Sequence, residues 1–65
     1  TEIKAAFTYC RRRRLGPWRT VEREKQREKD IASLARQGYS VDVALRVIDA
    51  ISIEELEMEM TSESL

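Results

Sequence analysis

Residues 11–19 read RRRRLGPWR, four consecutive arginines that run into Leu-Gly-Pro, then an aromatic and a fifth arginine. Gly16 suits the left-handed position after a helix end. Pro17 has no N–H and cannot make the second bond of a Schellman motif, so the stretch predicts a single-bond stop for a helix running from about Glu2 to Arg14. In that helix Ile3, Phe7, Cys10 and Arg14 fall at i, i+4, i+7 and i+11 and share one narrow face. The arginines occupy the last turn, where the helix dipole favours cations. A rigid, strongly basic corner is therefore expected, with Gly16 and Pro17 shaping it.

Downstream of the corner the helical period continues, and no segment alternates like a strand. Thr20 is a candidate N-cap for a second helix, with Glu22 and Glu24 in its first turn. The first half of that helix, EREKQREKD, is polar on every side. Its opposite charges at i,i+3 (Glu22 with Lys25, Glu24 with Arg27) are offset by like charges at i,i+4, so it should project beyond the core or fray. Burial is expected from Ile31 through Leu34 and Ala35, and Gly38 is the expected left-handed stop. Ser40 caps a third helix, Val41 to about Ile51, apolar nearly all round and therefore central. Residues 52–65 read as an acidic tail, a short helix or disordered; Ile53, Leu56 and Met60 are spaced for a short helix with little core to join.

The expected architecture is all-α: one three-helix unit over residues 1–51, a small right-angled bundle, followed by the acidic tail at 52–65. Sixty-five residues bury only roughly 60% of the surface their unfolded chain exposes, which argues against a deep catalytic cavity. The chain starts at Thr1 rather than at a methionine and reads as an excerpt of a longer protein. The net charge of 0 hides a split. Residues 1–50 carry all 12 Lys and Arg against seven acids, and residues 51–65 carry five glutamates and no base. That asymmetry predicts a basic body suited to an anionic partner, and a tail able to compete for the same surface.

Catalytic chemistry is poorly provided for. There is no histidine, no glycine-rich phosphate loop, and no serine beside a base in a known motif. A Cys/His zinc site is excluded, and Glu54, Glu55, Glu57 and Glu59 lack the loop spacing and turn glycine of a calcium site, so neither a metal nor another cofactor is expected. Cys10, the single cysteine, fits a reducing cytoplasm or a small buried apolar position. No apolar run approaches the roughly 18 residues of a membrane span.

Within the arginine run, helical steps of 100° spread four consecutive side chains over about 300°. Arg14 falls beneath Phe7 and Cys10, so its stem is expected to cover the core, a structural role. Arg11, Arg12 and Arg13 look outward with Arg19 near them, and these are the candidate partner-binding residues, since guanidinium offers paired donors to phosphate or carboxylate. Trp18 either joins that surface as an anchor or closes the core under the corner, and Tyr39 either anchors an interface or staples the entry to the third helix. The Gly38-Tyr39-Ser40 turn is similar to those of helix-turn-helix readers and of ubiquitin-associated modules. Neither explains the arginines.

Two segments carry a closer resemblance. AAFTYCRRRRLGPWR (5–19) is similar to the basic helix and Gly-Pro-aromatic-Arg corner, and REKDIASLARQGYSVDVALRVIDA (27–50) to the closing helix pair, of the C-terminal repeat of bacterial RecX regulatory proteins. The resemblance covers about residues 5–50; residues 51–65 match no pattern of that family. It implies tandem three-helix repeats in an elongated cytoplasmic protein without enzymatic activity. It further implies a negative regulator of the recombinase RecA, lying in the groove of the RecA–DNA filament and interfering with ATP hydrolysis, strand exchange and extension. Carried onto this chain, the matching positions are Arg11, Arg12, Arg13, Gly16, Pro17 and Arg19. Direct DNA binding through the basic patch is the alternative, and the exposed valines of the third helix leave self-association open.

Overall fold

The computed structural model describes the backbone of residues 1–64 and the side chains of residues 1–60. The first helix, α1, spans Glu2–Arg13 and buries Ile3, Ala6, Phe7 and Cys10, the i, i+3, i+4, i+7 stripe of an amphipathic helix. Its stop differs from the sequence expectation. Arg14, not Gly16, takes the first left-handed position (φ 57°). The Arg14 N–H donates to Arg11 O (3.4 Å) and the Leu15 N–H to Cys10 O (2.9 Å), a full Schellman pair. Leaving the helix one residue early removes Arg14 from the core stripe. Its side chain is exposed, and Leu15 is buried against the core instead, so the structural role expected of the Arg14 stem is overturned.

Gly16 is also left-handed (φ 56°) and opens a single turn of 3₁₀ helix, Gly16–Trp18, with Pro17 in its first turn. A β-carbon at Gly16 would sit 3.1 Å from the Ile48 Cα, so this glycine is needed both for its dihedral and for the closeness of α3. Trp18 packs edge-to-face on Phe7, centroids 4.9 Å apart.

The second helix, α2, spans Arg27–Arg36 and begins well after Thr20, which caps nothing. Residues 19–26 form an irregular connection in which Glu22 is left-handed (φ 56°) and the Gln26 N–H closes onto Glu22 O at 3.0 Å. The all-polar first half gives a helix no apolar stripe to dock, and its arginines bond elsewhere. Burial in α2 falls on Asp30 and Leu34; Ile31 is half-buried and Ala35 exposed, a rotation of the expected face by one residue. Gly38 (φ 96°) ends the helix as expected, with Gly38 N–H to Ala35 O and Tyr39 N–H to Leu34 O.

The third helix, α3, spans Val41–Ile48. The Ser40 hydroxyl accepts from the Val43 N–H at 3.2 Å, the expected cap, and the Glu2 carboxylate accepts from the Ser40 N–H at 2.7 Å. Val43, Ala44, Val47 and Ile48 are buried against α1, α2 and the corner, which makes α3 the central element; Val41 and Leu45 stay exposed. It stops three residues before the expected Ile51. The Arg23 guanidinium reaches over from the connection and donates to the carbonyls of Ile48 (2.9 Å) and Ala50. Arg27 pairs with Asp49 through two bonds of 2.6 and 2.7 Å, rather than with Glu24.

Of the two alternatives for the tail the structure has the helix, α4, over Ile53–Ser64. The Ser52 hydroxyl caps it by accepting from the Glu55 N–H (3.1 Å), and Glu54 and Glu55 lie in its favourable first turn. Leu56 is fully buried (0% exposed), with Ile53 and Met60 packed beside the core, so this segment does have a core to join. Glu59 pairs with Arg46 of α3 at 2.7 Å. The Glu63 carboxylate, counted in the acidic tail, lies outside the described side chains.

Candidate functional site

At the corner, sequence and packing produce two sets of arginines. Arg19 belongs to the inner set. Its Nε and Nη2 donate to Asp30 Oδ2 and Oδ1 at 2.8 and 2.7 Å, a bidentate clamp. The Gly16 N–H completes it at 3.0 Å to Oδ2. Asp30 is 1% exposed, whereas the Arg19 side chain is 26% exposed. Burial by itself pushes the Asp30 carboxyl up. The hydrogen bonds from Arg19 and Gly16 and the Arg19 charge outweigh it, and hold the carboxyl below the usual carboxylate range. The hydrogen bond to Asp30 raises the Arg19 guanidinium in turn. Arg19, expected among the partner-binding residues, has its inner edge committed to the fold.

Arg11, Arg12 and Arg13 form the outer set, all exposed in the last turn of α1. The Arg13 guanidinium lies 5.0 Å from the Tyr9 ring centroid and that of Arg11 6.0 Å from the Phe7 ring, cation–π contacts that steer both heads. Tyr9 is itself fixed, its hydroxyl 3.3 Å from Ser33 Oγ and its ring 6.1 Å from that of Tyr39. Arg12 and Arg13, with Ala5, Thr8 and Tyr9, line an open hollow of about 510 Å³. Among the described residues no carboxylate pairs with Arg11, Arg12, Arg13 or Arg14. The exposed cations of this helix end, with no carboxylate partner among the described residues, suit it to receive an anionic surface.

Trp18 and Tyr39 lie where the packing alternative put them, half-buried at the edge of the core. Arg14 and Arg19 face a smaller notch with Trp18, Thr20 and Val21, about 150 Å³ in volume. A third hollow, about 550 Å³, lies over the end of α3, lined by Arg23, Arg27 and Ile48 to Ile51, and both of its arginines are bonded inside the chain. The Cys10 thiol is buried and pushed up to about 12 by burial and then by the Asp30 charge, the opposite of an activated nucleophile. No group of three His, Cys, Asp or Glu converges among the described residues. Nor is any helix among them long and apolar enough to cross a membrane.

Asp30 is the residue sequence reasoning missed. The signal lay in its i,i+4 spacing to Leu34, which puts a carboxylate on the buried stripe and requires a cation and a free N–H to meet it.

Fold and corner together define a small helical bundle braced at its corner by an ion pair to a buried carboxylate, with a basic helix end that has no carboxylate partner among the described residues. No protein-family model matches the chain, and no solved structure matches it significantly. Among curated proteins it is 46% identical over 52 residues to the regulatory protein RecX of Myxococcus xanthus, covering 77% of this chain and 28% of that protein. It is 37% identical over 57 residues to the regulatory protein RecX of Agrobacterium fabrum, covering 86% of this chain and 30% of that one. The chain belongs to the RecX regulatory proteins as a segment, spanning less than a third of the length of these relatives.

Proposed function

We propose that this chain is the C-terminal module of a cytoplasmic negative regulator of the RecA recombinase, one that binds the RecA–DNA filament and restrains its ATP hydrolysis, strand exchange and extension. Such a role would place it in DNA repair, recombination and the SOS response. The supporting observation is the run Arg11, Arg12 and Arg13, which projects from α1 with no carboxylate partner among the described residues, in a chain of RecX sequence. The basic helix end meets an acidic stripe of the filament, and the buried clamp behind it holds the corner in shape. Arg19 serves that surface mainly by fixing it, and Trp18 by wedging the corner onto Phe7.

The test is charge reversal, Arg11→Glu, Arg12→Glu and Arg13→Glu together, in the full-length protein. Inhibition of RecA ATPase should be lost while helical circular dichroism is retained; unchanged inhibition refutes the reading. A second reading, binding of nucleic acid without RecA, draws on the same unpaired cations, which suit phosphate as well as carboxylate. It requires affinity that falls with salt at a slope near −0.9 per neutralised phosphate on duplex DNA. Absence of any salt-dependent binding to DNA alone removes it.

A further inference from the structure

The helix stop divides the arginine run three to one, and the separated residue faces a cavity of its own. Because Arg14 is left-handed, it leaves the face of Arg11 to Arg13 and joins Trp18, Arg19, Thr20 and Val21 around the notch of about 150 Å³. That volume is below the roughly 300 Å³ at which small-molecule sites begin, so the notch has room for a single small group and not for a base or a cofactor.

Its donors are of three kinds. Arg14 brings a full charge with no carboxylate partner among the described residues. Arg19 brings orientation: Nε and one N–H of Nη2 are held by Asp30, which leaves both N–H groups of Nη1 and the second of Nη2 on an edge that reaches solvent. The clamp removes most of the rotamer freedom that a free arginine loses on binding. The backbone N–H groups of Thr20 and Val21 have no protein acceptor among the described residues, and the Thr20 hydroxyl is exposed beside them. One exposed cation, one preorganised fork and two amides with no acceptor among the described residues, all from residues that line the notch, fit a tetrahedral oxyanion.

We propose that this notch is a phosphate subsite that seats one backbone phosphodiester of a nucleic-acid strand, with Arg14 as the charge and Arg19 as the fixed donor. It rests on the second reading above, that the cations of this corner take nucleic-acid phosphate. The positive φ at Arg14 supports it, because glycine would satisfy that position without strain, whereas arginine is strained there and brings a cation to the notch.

The experiment is an NMR titration of the 65-residue chain with inorganic phosphate alone and with a short single-stranded oligonucleotide. Both should shift the amides of Thr20 and Val21 and the Arg14 and Arg19 Nε–H signals, the oligonucleotide at lower concentration. Arg14→Gly removes the cation and relieves the backbone, so the fold cannot be what is lost. It should weaken the oligonucleotide response about tenfold and flatten its salt slope by about 0.7. Shifts confined to residues 11–13, shifts with phosphate and none with oligonucleotide, or an unchanged Arg14→Gly response would each overturn the subsite. Shifts at residues 11–13 without residues 14–21 sink the subsite and leave nucleic-acid binding standing, whereas no response to the oligonucleotide anywhere sinks that reading as well, so the two failures are told apart.

Discussion

Replacing either end of the Arg19–Asp30 clamp should have unequal consequences, because its two ends are unequally buried. Arg19→Ala leaves a carboxylate 1% exposed with only the Gly16 N–H for company. Removing one partner of a buried pair typically costs about 3–5 kcal/mol. Asp30→Asn keeps an oxygen for Gly16 and frees a guanidinium that is already 26% exposed and can rehydrate, so about 1–2 kcal/mol is expected. A chain of 65 residues has about 3–10 kcal/mol of stability in all. At about 4–8 °C per kcal/mol, Arg19→Ala should lower Tm by at least about 12 °C and Asp30→Asn by about 4–16 °C, at most about two-thirds as much at any one coefficient.

The pH dependence supplies the sign. In the parent chain the Asp30 carboxyl is depressed, so its contribution is complete above the unfolded value near ~3.9 and is lost as pH falls through the folded one. In Arg19→Ala burial acts without the arginine and raises that carboxyl, so the folded state takes up its proton first. The deficit of the variant should therefore be greatest at neutral pH and shrink on acidification. Urea and thermal unfolding followed by circular dichroism across that range measure it. Equal costs for the two variants, or a deficit independent of pH, would refute the account of the clamp.

Three further outcomes follow from other parts of the fold. Leu56→Ala should cost about 2–5 kcal/mol in urea unfolding if α4 is part of the core, and close to nothing if it is not. Gly16→Ala combines a left-handed dihedral with a β-carbon 3.1 Å from Ile48, whereas Gly38→Ala meets open space, so the first should cost about 2–4 kcal/mol and the second about 1. Cys10, at about 12, should react with a thiol reagent at mildly alkaline pH about a thousandfold more slowly in the folded chain than in urea, and equal rates would show that it is not buried.

Elements whose ends are written in local chemistry are legible in the sequence. The Ser40 cap, the Gly38 stop and the apolar density of α3 all act within a few residues, and each appears where the pattern puts it. What the sequence hides is long-range. Thr20 followed by Glu22 and Glu24 is a sound helix start locally, but Arg19, Arg23 and Arg27 bond to Asp30, to the end of α3 and to Asp49, and the intervening chain gives up helix to let them. Arg14 is displaced from its expected place by one left-handed residue, enough to turn an inward side chain outward. Leu56 has the right spacing, but whether a surface remains for it to cover depends on how α1 and α3 pack. The arginine run itself is legible as the candidate surface; that Arg19 beside it is clamped is decided by Asp30, a carboxylate that composition treats as solvent-exposed.

The clamp also bears on the order in which the chain folds. Its Gly16–Asp30 contact spans 14 residues, whereas the Glu2–Ser40 bond that ties α1 to α3 spans 38. By loop-closure entropy the shorter connection is easier to make by about 0.9 kcal/mol, and loops of this size close in about 10–100 ns. The corner can thus set the register of α2 on α1 before α3 arrives to fill the space between them. A φ-value for Arg19→Ala well above that for Leu56→Ala would be the kinetic trace of that order, and the reverse ranking would place the apolar core first.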